Sequence, residues 1–482
     1  VTATAQEPVI SLVPARMDRL PWTKFHWSVV VGLGVSWILD GLEIQLVSAG
    51  GFAQEFKMNA TQVGFTATVY LVGQIVGALV FGRMTDSIGR KKLFILTLAI
   101  YLAGSGLAGL SLDMWMLWVF RFIAGLGIGG EYTAINSAID ELIPSRYRGR
   151  VDIAVNGTYW AGAALGAVAT IVTQNLFSPN WAWRIGFFVG PVLGLIIIYL
   201  RRHIPESPRW LLTHGHAEEA NRTVDEIEEQ VRSEGVDLEP VPESKAIAVV
   251  DYPRVALREL VRIFFVKYPR RTILGLTMMI TQSFLYNAIF FSQGNVLKGF
   301  YGISEANVGY FFFPFAIGNL LGPLLLGHFF DTVGRRKMIF GTYLISGLVL
   351  ALSAVLFQLD LLTATTQTIF WCVSFFFASA GASSAYLTVS EIFPLEVRGQ
   401  AISYFFCIGQ AAGAMAPVIY GALMGDFSSR TPLMIGYFIG AALMIIGGLV
   451  ALLLGVNAEG QSLEDVADPL SKVDLPAAGE RR

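Results

Sequence analysis

Asp40 and Glu43 lie three residues apart in a stretch that is otherwise mostly Leu, Ile, Val, Gly and Trp, and Arg121 and Glu131 stand in a second stretch of the same kind. Residues three apart on a helix share a face, so the two carboxylates project together. A charge at the centre of a hydrocarbon layer costs at least about 2.5–3.5 kcal/mol, so each of these groups requires a partner or water beside it. Depth selects the partner. At a rise of about 1.5 Å per residue, Asp40 stands roughly 20 Å, Glu43 roughly 24 Å, Arg121 roughly 28 Å and Glu131 roughly 13 Å from one side of the layer. Glu43 is therefore the match for Arg121, and Glu131 makes a second polar station beside a glycine-rich run. A carboxylate facing a guanidinium gives up its proton, and one buried without a cation keeps it. A pair that can part is a proton switch; one that never parts is a clamp between two helices.

Such groups need membrane-crossing helices to hold them, and the composition supplies these. Of 482 residues, 54% are hydrophobic and 15% charged, with a mean hydropathy of +0.58, where soluble domains carry roughly 25% charge. Runs close to the roughly 20 apolar residues that cross a bilayer recur at 27–51, 61–82, 93–111, 115–139, 152–176, 182–201, 271–297, 306–329, 338–357, 366–389, 401–424 and 430–455. They lack the polar alternation of barrel strands, so the fold class expected is all-α, with twelve transmembrane helices. Lys and Arg gather in every second connection: Arg16, Arg19 and Lys24; Arg83 and Arg90 to Lys92; Arg146, Arg148 and Arg150; Arg201, Arg202 and Arg209; Arg335 to Lys337; and Arg398. That distribution predicts both termini on the cytoplasmic side of the inner (plasma) membrane.

The chain divides into a cytoplasmic tail at 1–26, a six-helix bundle at 27–204, a cytoplasmic connection at 205–269, a second bundle at 270–456 and a tail at 457–482 expected to be mobile. The first tail shows no leader-peptide pattern. Within the connection, 217–231 reads as an amphipathic helix and 239–244 as a Pro-broken linker. Cys372 and Cys407 each sit inside an apolar run, and the five His form no ligand set, so neither a disulfide framework nor a metal site is expected. No Ser-His-Asp or nucleotide-phosphate motif appears, which argues against an enzyme. Neither a cofactor nor a nucleic-acid partner is expected; the bilayer, a small solute and protons are.

Two elements recur in order. Gly82-Arg83-Met84-Thr85-Asp86-Ser87-Ile88-Gly89-Arg90 returns as Gly327-His328-Phe329-Phe330-Asp331-Thr332-Val333-Gly334-Arg335, and Glu141-x-x-Pro144-x-x-x-Arg148-Gly149 returns 250 positions later as Glu391-x-x-Pro394-x-x-x-Arg398-Gly399. Two motifs repeated in register indicate duplication, an established transporter architecture with its site at the bundle interface. Gly82 and Gly327 allow close helix approach, and Asp86 and Asp331 can face a helix N-terminus or the neighbouring basic residues.

With these repeats, the glycine-rich Arg121-x-x-x-Gly125-x-Gly127-x-Gly129-Gly130 and Pro205-Glu206-Ser207-Pro208-Arg209-Trp210-Leu211, the chain resembles the major facilitator superfamily over nearly its whole length. Within that superfamily it is similar to the sugar porter, aromatic-acid:proton symporter and organic-ion transporter branches. The resemblance implies two pseudo-symmetric bundles, alternating access, a monomer, and a cytoplasmic gating network joining Arg90, Glu141, Arg148 and Glu206 to the repeated residues. Asp40-Gly41-Leu42-Glu43 resembles the Asp-Gly-x-Asp signature of aromatic-acid symporters, and in sugar porters the acid equivalent to Glu43 pairs with the helix-four Arg and carries the coupling proton. Gln282 and Asn287 resemble the amides of the seventh helix of sugar porters, where they contact solute. The chain departs from sugar porters in the fifth span, where Gly157 follows Asn156 in place of their Gln, and in the tenth, where Tyr386 replaces their Trp; Trp160, Tyr386, Tyr70, Asn156 and Gln410 are further candidates for the solute path. The fifth span lacks the Gly-Pro pair of the superfamily's antiporters. The expected function is proton-coupled symport of a small polar solute, a sugar or organic acid; a uniporter, an efflux antiporter and a transporter-like ligand sensor stand as alternatives.

Overall fold

The computed structural model describes residues 7–48, 51–58, 60–252 and 255–473. The outer parts of the two tails, 1–6 and 474–482, and the far end of the first run at 49–50 lie outside the described residues. The first six spans are Lys24–Ser48, Ala60–Ile88, Arg90–Ala108, Met114–Leu142, a broken fifth (Ser145–Gly157 and Tyr159–Leu176) and Pro179–Arg201. The remaining six are Pro269–Tyr301, Glu305–Thr332, Arg335–Gln358, Ala364–Glu391, Arg398–Met424 and Thr431–Leu454.

Eleven of these are long and apolar enough to cross a membrane among the described residues. The twelfth, the fourth span, is less apolar because it carries Arg121, Glu131, Asp140 and Glu141, all four buried. Several spans run past their apolar cores, because the charged repeat residues stand on helical turns and not in loops. Asp86 and Asp331 belong to the last turns of the second and eighth spans, and Gly89 and Gly334 form the tight corners that follow. Their φ values of 100° and 113° lie where side chains are strained and glycine is not.

Backbone contact between spans depends on missing side chains. A Cβ on Gly162 or Gly41 would collide with the Ile38 or Tyr159 carbonyl, which locks the first span onto the fifth, and Gly77 and Gly129 do the same between the second and fourth. The fifth span breaks at Thr158, whose hydroxyl donates back to Val155 O at 2.5 Å, beside Gly157, which leaves room for Pro323.

The buried core falls into two large clusters, one drawn mainly from the first six spans and one mainly from the last six. They meet along two matched helix pairs, the second span against the eleventh and the fifth against the eighth.

One face carries both chain ends and the connection. There Val9–Ser11, Ile247–Val249 and Lys472–Val473 form a three-stranded antiparallel sheet, with Val9 opposite Val249 and Ala248 opposite Val473. The expectation of a mobile C-terminal tail is corrected as far as Val473. A short helix at Leu463–Val466 buries Leu463, Glu464 and Val466, and Glu464 binds Arg209. Burial alone would push the Glu464 carboxyl up, but Arg209 and the Ser462 hydroxyl hold it below its ordinary value. The helix Ala217–Ser233 buries Ala220, Val224, Ile227 and Val231 against this platform, while Arg16 and Arg19 hold Glu228 from the other side.

Candidate functional site

The first bundle holds its charges in two separate stations. Glu43 and Arg121 form an ion pair with both side chains fully buried. Tyr101 and Ser105, one helical turn apart on the third span, donate to Glu43 Oε1 at 3.0 and 2.5 Å. The guanidinium lies over the Tyr70 ring at 4.3 Å and near Phe187 at 5.2 Å, which gives it aromatic faces in place of water. Asp40 accepts from the Tyr70 hydroxyl at 2.8 Å, from Gln74 Nε2 at 2.9 Å and from the Tyr132 hydroxyl. Asp40 thus has three neutral donors, and Glu43 has a guanidinium and two hydroxyls.

From Asp40 a hydrogen-bonded path crosses into the second bundle. Gln410 Nε2 donates to Gln74 Oε1 at 3.3 Å, Ser283 Oγ donates to Gln410 Oε1 at 3.4 Å, and Asn287 Nδ2 donates to Ser283 O at 2.9 Å. Only the Gln410–Gln74 link crosses the seam; the Ser283–Gln410 link lies within the second bundle, and both are longer than the bonds on either side of them. Aromatic rings flank the path: Trp37 stacks on Tyr132 at 4.2 Å and meets the edge of Tyr386 at 5.0 Å.

Other candidates sit elsewhere. Trp160 is enclosed by Tyr286, Phe290 and Phe315. Asn156 lies deeper toward the tail face, its amide donating to Asp152 O at 2.8 Å. Gln282 is nearly buried, but the seventh span runs unbroken, so Gln282 and Asn287 are about 140° apart around it; only Asn287 joins the path. Tyr70 serves the acid pair.

The second station is Glu131, which accepts from Ser36 and Thr97 hydroxyls at 2.6 Å each and pairs with Arg201. Arg201, expected in a solvated connection, is instead fully buried, its guanidinium also donating to Phe94 O at 3.3 Å and Ser36 Oγ at 2.6 Å. Its position at the last residue of the sixth span lets a long side chain reach inward while the helix end stays near the interface. Nothing in the charge pattern separates it from Arg202; the need of Glu131 for a cation was the available signal.

At the tail face the repeated motifs interlock across the seam. Asp86 accepts from the backbone N–H groups of Gly399 and Gln400 at 3.1 and 2.9 Å, at the start of the eleventh span. Asp331 accepts from Gly149 and Arg150 at 3.0 and 2.7 Å, in the first turns of the fifth. Both carboxylates face helix N-termini, where the helix dipole favours negative charge. Arg90 pairs with Asp86 and Glu141 at 3.2 and 2.7 Å, and Arg335 pairs with Asp331 and Glu391 at 2.9 Å each. Arg148 crosses to Glu391 at 2.7 Å and Arg398 crosses to Glu141 at 3.3 Å. Gly82 and Gly327 allow the close approach: a Cβ on the former would strike Ser403, and one on the latter would touch Arg150 and Ile153 across the same seam. The tail face is shut.

Glu206 accepts from the N–H groups of Arg90 and Lys91 at 2.9 and 3.1 Å, capping the third span; burial pushes its carboxyl up against the pull of those donors. Its counterpart Glu459, which accepts from Arg335 N at 3.2 Å, was missed because its flanking residues do not repeat Pro205-Glu206-Ser207.

A family model described as sugar (and other) transporter matches residues 34–469. The niacin transporter NiaP of Acinetobacter baylyi is 24% identical over 456 residues, 94% of this chain and 99% of that protein. The inner membrane metabolite transport protein YdjE of Escherichia coli is 26% identical over 477 residues, 95% and 98% of the two chains. The solved structure of the proton:xylose symporter XylE, bound to 6-bromo-6-deoxy-D-glucose, superposes with a TM-score of 0.76 at 17% identity, over 92% of this chain and 98% of that one, which establishes the major facilitator fold. The chain is a multi-pass membrane transporter, not an enzyme, and belongs to the sugar (and other) transporter family of the major facilitator superfamily.

Proposed function

We propose that this transporter couples the entry of a small polar organic solute, a sugar or an organic acid, to protons by alternating access, with its tail face in the cytoplasm beneath an inner membrane. The observation that carries the reading is the buried Glu43–Arg121 pair, joined through neighbouring Asp40 to amides of the opposite bundle. A carboxylate deprived of its guanidinium in a dry site takes up a proton, so any movement of Arg121 away from Glu43 transfers a charge. A solute that hydrogen-bonds to Gln410 and Asn287 competes for the seam contact from Gln410 to Gln74 at 3.3 Å and for the contact from Ser283 to Gln410 at 3.4 Å within the second bundle. Losing the Gln410 donor frees Gln74 Oε1 and lets the amide turn, which links solute binding to the bond that Gln74 Nε2 gives Asp40. The names of the relatives, niacin for one and xylose for the other, support a polar solute class.

The basic residues on the tail face support its cytoplasmic placement, so the shut latch corresponds to a state open away from the cytoplasm. Reconstituted vesicles test the scheme. An inward proton gradient drives accumulation of the solute through the native chain; Glu43→Gln loses uphill uptake and keeps solute exchange. Unchanged gradient-driven accumulation in that variant would remove Glu43 from the mechanism. Equilibration indifferent to the gradient marks a uniporter, gradient-driven expulsion an antiporter, and binding without flux a sensor.

A further inference from the structure

Asp140 on the fourth span and Asp152 on the fifth belong to neither station described above. Both are wholly buried; the Ser390 hydroxyl is within reach of Asp140, and otherwise none of their four carboxyl oxygens has a hydrogen-bond partner among the described residues. They lie close enough to act electrically on each other, and both face Glu391 and Arg148; Arg398 also faces Asp140, and Arg335 faces Asp152. Ser390, beside Asp140, donates its hydroxyl within its own helix, to Leu387 O at 2.8 Å.

The surroundings are short of donors. Asn136 precedes Asp140 by one turn and Asn156 follows Asp152 by one turn, so each amide shares a helix face with its carboxyl. One N–H of each amide is given to Tyr132 O or Asp152 O, and one remains on each. Asn136 Oδ1, Asn156 Oδ1 and Glu141 Oε2 are buried without a partner, in addition to the four aspartate oxygens. Against these seven acceptors, the other unpartnered donors nearby are Arg148 Nη1, Arg398 Nε and the Ser137 hydroxyl.

Charge is out of balance in the same sense. The buried Arg90, Arg148, Arg335 and Arg398 are matched by Asp86, Glu141, Asp331 and Glu391 in the latch, and Arg150, which reaches Asp331 at 3.8 Å, is exposed to water. Asp140 and Asp152 would add two uncompensated negative charges to an enclosed site, which a dry interior does not tolerate. Protons on the two carboxyls remove both faults together, cancelling the charges and supplying two O–H donors to the orphaned oxygens.

We infer that Asp140 and Asp152 form a second proton-binding station, apart from Asp40 and Glu43, which holds its protons while the tail-side latch is shut and releases them to tail-side water when it opens. On opening, the O–H bond of each carboxyl breaks, the proton passes to water, and the carboxylate stays behind, hydrated. The opened fraction then rises by about tenfold per pH unit for each proton released. Acid on the tail side favours the shut form and alkali the opened one. The inference rests on this chain alternating as a transporter, not on Glu43 being its coupling acid.

Spin labels placed on exposed residues on either side of the seam, at Arg202 and Lys267, report opening as a lengthened distance from about pH 5.5 to about pH 8.5. Carried out in an Asp40→Asn, Glu43→Gln background, the titration excludes the other station. The expected result is a pH-dependent open fraction whose slope falls in Asp140→Asn and vanishes in the doubly substituted Asp140→Asn, Asp152→Asn chain, which stays shut. An unchanged slope in the double variant overturns the inference, as does a slope at fixed pH set by sodium or potassium concentration, which would make the ligand a metal cation. Should the double variant fail to fold, infrared spectra of the native-acid chain in the same background decide. Loss of a protonated-carboxyl band as the distance lengthens supports the station, and its absence at every pH refutes it.

Discussion

Replacing Asp86 by Asn tests whether the tail-side latch sets the position of the alternating equilibrium. The carboxylate accepts two backbone N–H bonds from Gly399 and Gln400 and faces Arg90 at 3.2 Å. An amide of the same size keeps one acceptor, turns an NH2 group toward the second N–H, and removes the charge. Losing one charge-assisted bond costs about 1.5–3 kcal/mol and losing a charge at a helix N-terminus about 0.3–1 kcal/mol. The shut state is therefore weakened by about 2–4 kcal/mol, since these contacts join the halves and part when the latch opens. That multiplies the opened fraction by about 30 to about 1,000.

The assay is alkylation of a cysteine introduced at Ser403, buried on the eleventh span with its hydroxyl against Ala78 O across the seam, in a chain whose Cys372 and Cys407 are replaced by Ala. When opening and reclosing outrun the reagent, the alkylation rate follows the opened fraction, so the expected acceleration holds while the opened form is a small minority and saturates as it becomes the major one. Asp331→Asn, which loses the mirror contacts to Gly149 and Arg150, should accelerate alkylation to a similar degree. Rates unchanged in both folded variants would refute the assignment of the latch, and acceleration in only one would refute its two-fold character.

Three further outcomes follow from local geometry. Glu131→Gln or Arg201→Leu leaves one partner of a fully buried pair uncompensated and should cost about 3–5 kcal/mol, read as a lowered melting temperature; replacing both by Leu should restore much of it. Gly162→Val drives a side chain into the Ile38 carbonyl and should abolish folded expression, whereas Gly341→Ala, with nothing within 4 Å of the added Cβ, should be silent in both expression and uptake. Glu464 is held below the ordinary glutamate value of 4.5 by Arg209 despite its burial. Its contribution to docking the tail is therefore complete above about pH 4.5 and lost as pH falls through the depressed folded value. Pepsin should cut 457–473 faster as that range is crossed, and Glu464→Gln should expose the segment in neutral-pH proteolysis as well.

The elements were legible because lipid leaves few ways to satisfy a backbone, so apolar length alone marks a helix. Depth arithmetic went further and ranked Glu43 as the partner of Arg121, because both lie well inside helices whose starts were easy to place. The charge distribution misplaced Arg201, at a helix end, where side-chain reach decides what is buried. The latch motifs were legible as a repeat, and so was the placing of Asp86 and Asp331 at a helix N-terminus and beside basic residues; which helices supply the N–H groups was not, because no side-chain spacing reports it. The proposed solute path was the least legible part. Gln74 is joined to Gln410 across the seam, and Gln410 to Ser283 within the second bundle, by the packing of helices against one another, and no single helix pattern contains that information.

The two halves repeat the latch and not the interior, and this asymmetry constrains how the transporter can work. Asp86 and Asp331, Arg90 and Arg335, Glu141 and Glu391, and Glu206 and Glu459 make matching contacts, as a seam closed by two equivalent helix pairs requires, since freeing one pair alone leaves the other holding. An interior charge pair faces no such requirement. Glu43–Arg121 and Glu131–Arg201 both lie in the first bundle, and the second bundle has no Asp, Glu, Lys or Arg along the middle of its described spans. A counterpart there would have to be desolvated and neutralised in every cycle, at a cost of several kcal/mol per ion, with no gain for a solute recognised by neutral amides. The duplicated frame therefore leaves one bundle free to change charge and the other free to change shape. The hydrogen bond from Gln410 to Gln74 is where the two communicate, and Ser283 carries that contact on into the second bundle.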